Sequence, residues 1–354
     1  MSLTLWITAL PVWAIAIVFA VALILIIKGG DVFVDAASSI AGALKIPPLI
    51  VGATIVSLAT TLPEIIVSVS AAAKGNVDIA AGNAIGSVTA NTALVMGVLL
   101  VGMPIIVDKK DFTPKGILLF LAAAVLILSC IFTPRFHMNS AAGAGDYYTL
   151  ATIGIVVLGI LCITFFAQNI RNAKNGMLAE RALQKETEQK AAVQPAYTKK
   201  QIIKSVILFV LGGAGIVIGA QALVESGSEL ALRFGIEQRV ISVVAFALGT
   251  SLPELITAIS ALRKKESAIS VGNIIGANII DLTLILPLCA LSSAVKGNGS
   301  LAVPVQAVAI DMSVCLLTIA IAVIPTIFRG KFSRVQGGMM LTCYGAYVVS
   351  TVAF

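Results

Sequence analysis

The chain has 354 residues, 58% of them hydrophobic and 12% charged, with mean hydropathy +1.03 and net charge +7. A soluble domain carries about 25% charged residues, so this composition excludes a water-soluble globular protein. Long apolar runs in place of weak ten-residue alternation exclude an outer-membrane barrel, and the surplus positive charge is explained below by loop topology, with no nucleic-acid partner.

Taken in chain order, the apolar runs predict an all-α membrane protein with ten transmembrane helices. The apolar start, Leu3 to Ile27, has no basic residue before it and reads as a retained first helix, not a cleaved leader. The spans are expected near 11–43, 47–73, 77–104, 114–134 and 148–169, then 202–233, 238–262, 267–294, 303–328 and 335–353. The only long polar stretch, Arg171 to Lys204, separates the two sets and is partly helical in composition. The domains are therefore expected as 1–170, a linker at 171–200, and 201–354. His137 falls in a short loop and reads as a surface residue. Cys130, Cys162, Cys289, Cys315 and Cys343 lie in apolar segments without metal-ligand spacing, and read as small buried thiols.

Basic residues set the orientation. With the N-terminus outside, eighteen Lys and Arg fall in the inner loops and five in the outer ones, leaving Lys28 within the first span. The expectation is a multi-pass protein of the cell membrane, with external termini and a cytoplasmic linker. The lipid bilayer is the one partner the sequence demands, and no obligatory protein partner is evident.

The two halves resemble each other at a constant shift of 190 residues. LATTLPEIIVSVSAAAKG (58–75) matches LGTSLPELITAISALRKK (248–265), and GNAIGSVTAN (82–91) matches GNIIGANIID (272–281). Across 51–92 against 241–282 there are 14 identities in 42 ungapped positions. Five spans per half is an odd number, so the halves are expected to be inverted repeats. The charges agree, since the second span exits outward at Lys74 and its counterpart exits inward at Arg263–Lys265. Such repeats are common in secondary transporters, with the substrate held near the midplane where they meet.

Glu64 and Glu254 lie well inside their spans. A charge at that depth costs ~2.5–3.5 kcal/mol on insertion scales, and neither motif has a basic residue in the ten positions before its Glu. A bound cation can neutralise both. Pro63 and Pro253 precede the glutamates, and a proline deprives the carbonyl four residues back of its partner. Those carbonyls belong to Ala59 and Gly249, and local unwinding also frees those of Thr60 and Thr250. Hydroxyls come from Thr60, Thr61, Thr250 and Ser251. Carbonyl, hydroxyl and carboxylate oxygens suit Ca2+, which accepts 6–8 oxygens in flexible geometry, and two glutamates balance its charge. Gly82, Gly86, Gly272 and Gly276 form small-xxx-small pairs for close helix packing. Asn91 and Asp281 lie one turn beyond Ser87 and Ala277.

These paired motifs resemble the two alpha-repeats of the calcium/cation antiporters, in the Na+/Ca2+ exchanger branch, over nearly the whole chain. The Ca2+/H+ branch typically carries a glutamate within its Gly-Asn motif; here the positions are Ala84, Ile85 and Gly86, or Ile274, Ile275 and Gly276. The resemblance implies a secondary active antiporter, not an enzyme, exchanging Ca2+ for Na+ by alternating access, with no cofactor. It implies that Glu64 and Glu254 ligate Ca2+ with the carbonyls of Thr60 and Thr250, and that the same glutamates help bind Na+. Thr61, Ser251 and Ser87, with the carbonyls of Ser57 and Ala247, match the family's Na+ positions. Asn91 and Asp281 match its central polar pair. The family fold implies that the first and sixth helices slide against an eight-helix core.

One departure stands out. Ala277 replaces the serine frequent at the position equivalent to Ser87, which removes a hydroxyl from the inward-side Na+ site and leaves H+ or K+ open as driving ion. Large Ca2+-sensing domains are absent. Asp31 and Asp35, and Glu225 and Glu229, fit either an ion entrance or interfacial solvation, and Asp311 reads as structural ahead of a K+ ligand. An intramembrane hydrolase using two acids and a passive channel are competing readings that the proline-broken, oxygen-rich motifs fit less well.

Overall fold

The structure is a computed structural model and describes residues 3–103, 105–140, 143–187, 198–235, 251–297 and 300–353. It is mostly helical. Among the described residues seven helices are long and apolar enough to cross a membrane, or eight if one bent pair counts as a single span. The bent pair is Pro48–Thr60 with Leu62–Ala73, which meet at 47°.

Each expected span is mainly helical where it is described, apart from its ends. The first runs Val12–Leu44 and ends on Lys45 in a left-handed conformation, φ 56°. The fourth begins at Lys109, earlier than expected, because the Asp108 carboxylate accepts from the Lys110 amide and caps the first turn. The helix Thr152–Thr187 carries half of the polar stretch, and Lys199–Arg233 follows, opened by a capping box in which Thr198 and Gln201 exchange hydrogen bonds. The start of the expected seventh span, 238–250, lies outside the described residues; its remainder is Leu252–Arg263. Arg334–Ala353 closes the chain.

Two features depart from the sequence reading. A three-stranded antiparallel sheet joins Phe136–Ser140, Gly143–Thr149 and Ala302–Pro304. His137 is therefore in a strand, opposite Asp146, with its Nδ1 3.0 Å from an Asp146 carboxylate oxygen. The sheet also moves the fifth and ninth helices inward, to begin at Thr152 and Ala307. Strands of three to seven residues are too short for their alternation to register against apolar neighbours. Secondly, four segments widen to π-helix: Gly52–Val56, Ala90–Val95, Asp281–Ile285 and Ala307–Asp311. The second and third lie at equivalent places under the 190-residue shift.

The spans Ile79–Gly102 and Ser267–Val295 form the centre, each with 78% of its most apolar window buried. The long helices Val12–Leu44 and Lys199–Arg233 lie at the flank, with 22% and 17% buried, and pack against each other along their length. Their contact depends on glycine. A Cβ on Gly212 would sit 2.8 Å from the Phe33 amide, and one on Gly29 would sit 3.0 Å from the Gly212 carbonyl oxygen.

The central contact is closer still. Ser267–Ile280 lies against Pro48–Thr60 so tightly that a Cβ on Gly272 would collide with the Leu49 carbonyl oxygen. One on Gly276 would fall 2.5 Å from the Ala53 oxygen. The Gly-Asn-x-x-Gly glycines of the second half thus do what their spacing predicts. The segment equivalent to 49–57 under the 190-residue shift, 239–247, lies outside the described residues. All five cysteines are free thiols, four of them buried.

Candidate ion site

The site begins at two helix starts, the first of them the 47° break between Pro48–Thr60 and Leu62–Ala73. Thr61 (φ −83°, ψ −5°) and Ser251 (φ −90°, ψ 2°) each stand at the N-terminus of a helix with proline in its first turn. Hydrogen bonding restarts with the Ile65 amide donating to the Thr61 carbonyl at 3.0 Å. The Leu255 amide donates to the Ser251 carbonyl at the same distance. Proline supplies no N–H, so at the Thr61 break the Ala59 carbonyl loses its helical donor; a glutamate sits in the first turn of each helix, and the residues before Ser251 lie outside the described ones. Helix N-termini carry a partial positive charge that favours a carboxylate there.

The described candidates are all buried. Ser57, Thr60, Thr61, Glu64, Ser87, Asn91, Ser251, Glu254 and Asp281 are each at most 3% exposed. Ala247 and Thr250 lie outside the described residues. Glu64 lies within electrostatic reach of Glu254 and Asp281, and the Thr60 and Thr61 side chains face Glu254. Val77–Thr89, which carries Ser87, packs against the π-helical turn that Asp281 opens. Ser267–Ile280 packs in turn on the Ala90–Val95 turn that holds Asn91. The widened turns put Asn91 and Asp281 where the two central spans meet.

Among the described residues, no hydrogen bond of good geometry reaches either oxygen of Glu64, Glu254 and Asp281, nor Thr61 Oγ1, Ser251 Oγ or Asn91 Oδ1, although the Thr60 and Thr61 side chains face Glu254. Among the described residues no Lys or Arg forms an ion pair with these acids. Each unsatisfied buried polar group costs about 1–3 kcal/mol, more when charged. The concentration of acceptor oxygens without donors is the electrostatic signature of a cation position. No three Asp, Glu, His or Cys side chains among the described residues converge to hold one metal, so an ion here would need hydroxyl and carbonyl oxygens beside the carboxylates.

Sequence reasoning missed the asparagines of the Gly-Asn motifs. Thr60 Oγ1 donates to the Asn273 side-chain oxygen at 3.2 Å, across the two halves. Asn83, its equivalent, donates through Nδ2 to the Glu64 carbonyl at 3.4 Å and to Ser68 Oγ at 2.8 Å. Asn278 donates to Thr92 Oγ1 at 2.7 Å, also between the halves. The available signal was an amide at repeat-equivalent positions in two otherwise apolar segments.

The acids outside this centre divide. Asp35 accepts from Lys264 Nζ at 2.7 Å and Glu229 from Arg233 Nε at 2.7 Å. Glu225 keeps one buried oxygen without a partner among the described residues. Asp311 ends the π-helical Ala307–Asp311 turn beside Tyr347.

The family model described as sodium/calcium exchanger protein matches residues 14–168 and 204–353. The chain belongs to this family. As a member of the sodium/calcium exchanger family it is similar to the inner membrane protein YrbG of Escherichia coli (strain K12), 33% identical over 77% of this chain and 78% of that protein. It is also similar to the sodium/calcium exchanger MaX1 of Methanosarcina acetivorans, 29% identical over 94% and 97% of the two chains. Among solved structures, the sodium-calcium exchanger NCX_Mj superposes with TM-score 0.74 at 27% identity, covering 96% of this chain and 99% of that one. Membership makes the chain a transporter.

Proposed function

We propose that this protein is a secondary antiporter that exchanges Ca2+ for Na+ across the membrane. The observation that carries this reading is the pair of helices opening on proline whose glutamates, Glu64 and Glu254, are buried with no carboxylate oxygen hydrogen-bonded among the described residues. The relatives' names and the family membership support the choice of ions.

In this reading Glu64 and Glu254 hold Ca2+ with the carbonyls of Thr60 and Thr250. Na+ uses the same glutamates, with Thr61, Ser251 and Ser87, the carbonyls of Ser57 and Ala247, and the pair Asn91 and Asp281. Because the two ions share the glutamates they compete, and competition for one site is what makes exchange obligatory. The Thr60 hydroxyl proton is shared between Asn273 Oδ1 and the Ser57 carbonyl, and in this reading the Thr60 carbonyl is the residue's contribution to the ion.

The architecture that fits is ten transmembrane helices in two inverted five-helix repeats, 1–170 and 201–354, joined by a linker at 171–200. The paired helix starts after Thr61 and Ser251 and the paired π-turns at Asn91 and Asp281 support it. The charge bias supports external termini and a cytoplasmic linker in the cell membrane. The weakly buried pair Val12–Leu44 and Lys199–Arg233 is suited to slide over the central spans and change the face from which the site is reached.

The test is radioactive Ca2+ uptake into proteoliposomes, with loaded Na+, loaded K+ or a proton gradient as the sole driving force. Uptake is expected with Na+. Uptake driven by H+ or K+ alone would reassign the coupling ion and leave the Ca2+ site standing.

A further inference from the structure

The flanking helix Val12–Leu44 is tied to the end of the Glu254 helix by two polar contacts. Lys264 Nζ lies 2.7 Å from Asp35 Oδ1. Ser38 Oγ donates to Glu266 Oε1, also at 2.7 Å, and Glu266 is the residue that opens the next helix, Ser267–Ile280. Asp35 and Ser38 are three apart, so both contacts rise from one face of the long helix. Gly30, one turn and a half earlier, meets Ile256 and Ser260 of the same Glu254 helix; a Cβ there would lie 2.8 Å from each.

Shifted by 190 residues, Asp35 becomes Glu225, Lys264 becomes Lys74, Ser38 becomes Ser228 and Glu266 becomes Asn76. Every position keeps a side chain able to make the same contact: carboxylate with ammonium, hydroxyl with an acceptor. Asn76 also opens its helix, accepting from the Ile79 amide at 3.3 Å. Yet this second set is not engaged. Glu225 leaves a buried oxygen without a partner among the described residues, and Lys74 is exposed.

We propose that these two sets are alternating gates: Asp35–Lys264 with Ser38–Glu266 closes one face of the transporter, and Glu225–Lys74 with Ser228–Asn76 closes the other. This rests on the inverted-repeat reading above. The structure holds the first set closed, on the side of Arg263–Lys265. The two long helices are joined to each other by backbone contacts at Gly29, Gly212 and Gly219, so they move as one body. Sliding that body withdraws Asp35 from Lys264 and brings Glu225 to Lys74. The unpartnered Glu225 oxygen is then the open half of a pair that forms in the other state. Exposed ion pairs are weak, which is what a gate that must open in every cycle requires.

The test uses a cysteine-free protein in proteoliposomes carrying Asp35→Cys with Lys264→Cys, or Glu225→Cys with Lys74→Cys, and short bifunctional methanethiosulfonates, which join two thiols through reducible disulfides. Both pairs are expected to cross-link, and each cross-link to stop Ca2+ flux until it is reduced. Failure of the Glu225/Lys74 pair to cross-link where the Asp35/Lys264 pair does, or unimpaired flux once it is linked, overturns the proposal. Should the cysteine variants be inactive before linking, charge exchange replaces them. Glu225→Lys alone is expected to lower flux about fivefold, and adding Lys74→Glu to recover it; no recovery overturns the proposal. Na+-driven flux in the cysteine-free parent is measured in parallel. Its absence counts against the exchanger reading, while the cross-linking yield still reports on the gates.

Discussion

The Thr60 hydroxyl donates to the Asn273 side-chain oxygen at 3.2 Å, and this bond joins the break beside Glu64 to the Gly-Asn motif of the opposite half. Thr60 is 2% exposed and Asn273 is fully buried, so water does not compete for either group. If the bond holds the Thr60 carbonyl towards the ion, Thr60→Val and Asn273→Leu should each raise the Ca2+ KM of uptake by about fivefold, from the loss of about 1 kcal/mol. The double variant should be no worse than either single, as expected of partners in one bond. Thr60→Ser keeps the hydroxyl and should restore the KM. Fully additive effects would mean that the two side chains act separately.

Glu64→Gln and Glu254→Gln keep the shape of the site and remove one of its two neutralising charges. Each should weaken Ca2+ binding by about tenfold or more, since a bond to a charged group contributes about 1.5–3 kcal/mol. Membrane insertion should be normal, because the cost of the buried charge disappears with it. Near-normal Ca2+ flux in both variants would remove them from the site.

Packing at Gly272 and Gly276 leaves no room for a methyl group. Gly272→Ala would drive its Cβ into the Leu49 carbonyl oxygen, and Gly276→Ala into the Ala53 backbone. A destabilisation of about 1–3 kcal/mol is expected for each, read as a lower Tm in detergent. Gly345→Ala, whose Cβ meets no described atom within 4 Å, should leave Tm unchanged or raise it.

Ala277 is fully buried in the helix that supplies Asn273 and leads into Asp281. A hydroxyl can join a cation's coordination shell and a methyl group cannot. Ala277→Ser should therefore lower the Na+ concentration for half-maximal exchange, and Ser87→Ala should raise it. Unchanged Na+ dependence in Ala277→Ser, with Ca2+ transport intact, would show that another oxygen fills that position.

Orientation is read by labelling. A cysteine placed at Lys185, in a cysteine-free background, should react in intact cells only with a membrane-permeant reagent. Reaction with an impermeant reagent would reverse the topology drawn from the Lys and Arg bias.

Much of this protein is written in local pattern. Apolar length predicted where the helices lie, because lipid leaves backbone groups no partner but their own helix. The break at Thr61 was legible from Pro63, since proline acts on its own turn. The tight approach at Gly272 and Gly276 was legible from spacing. The short sheet that captures His137 was not, because its pairing of Tyr147 with Pro304 joins residues distant in sequence. Nor were the widened turns at Asn91 and Asp281, the Thr60–Asn273 bond, or the engagement of Asp35 with Lys264 while Glu225 keeps an unpartnered oxygen. Such features depend on which helix faces which, and a repeat that specifies two equivalent contacts does not say which is closed. Only the packed structure decides that.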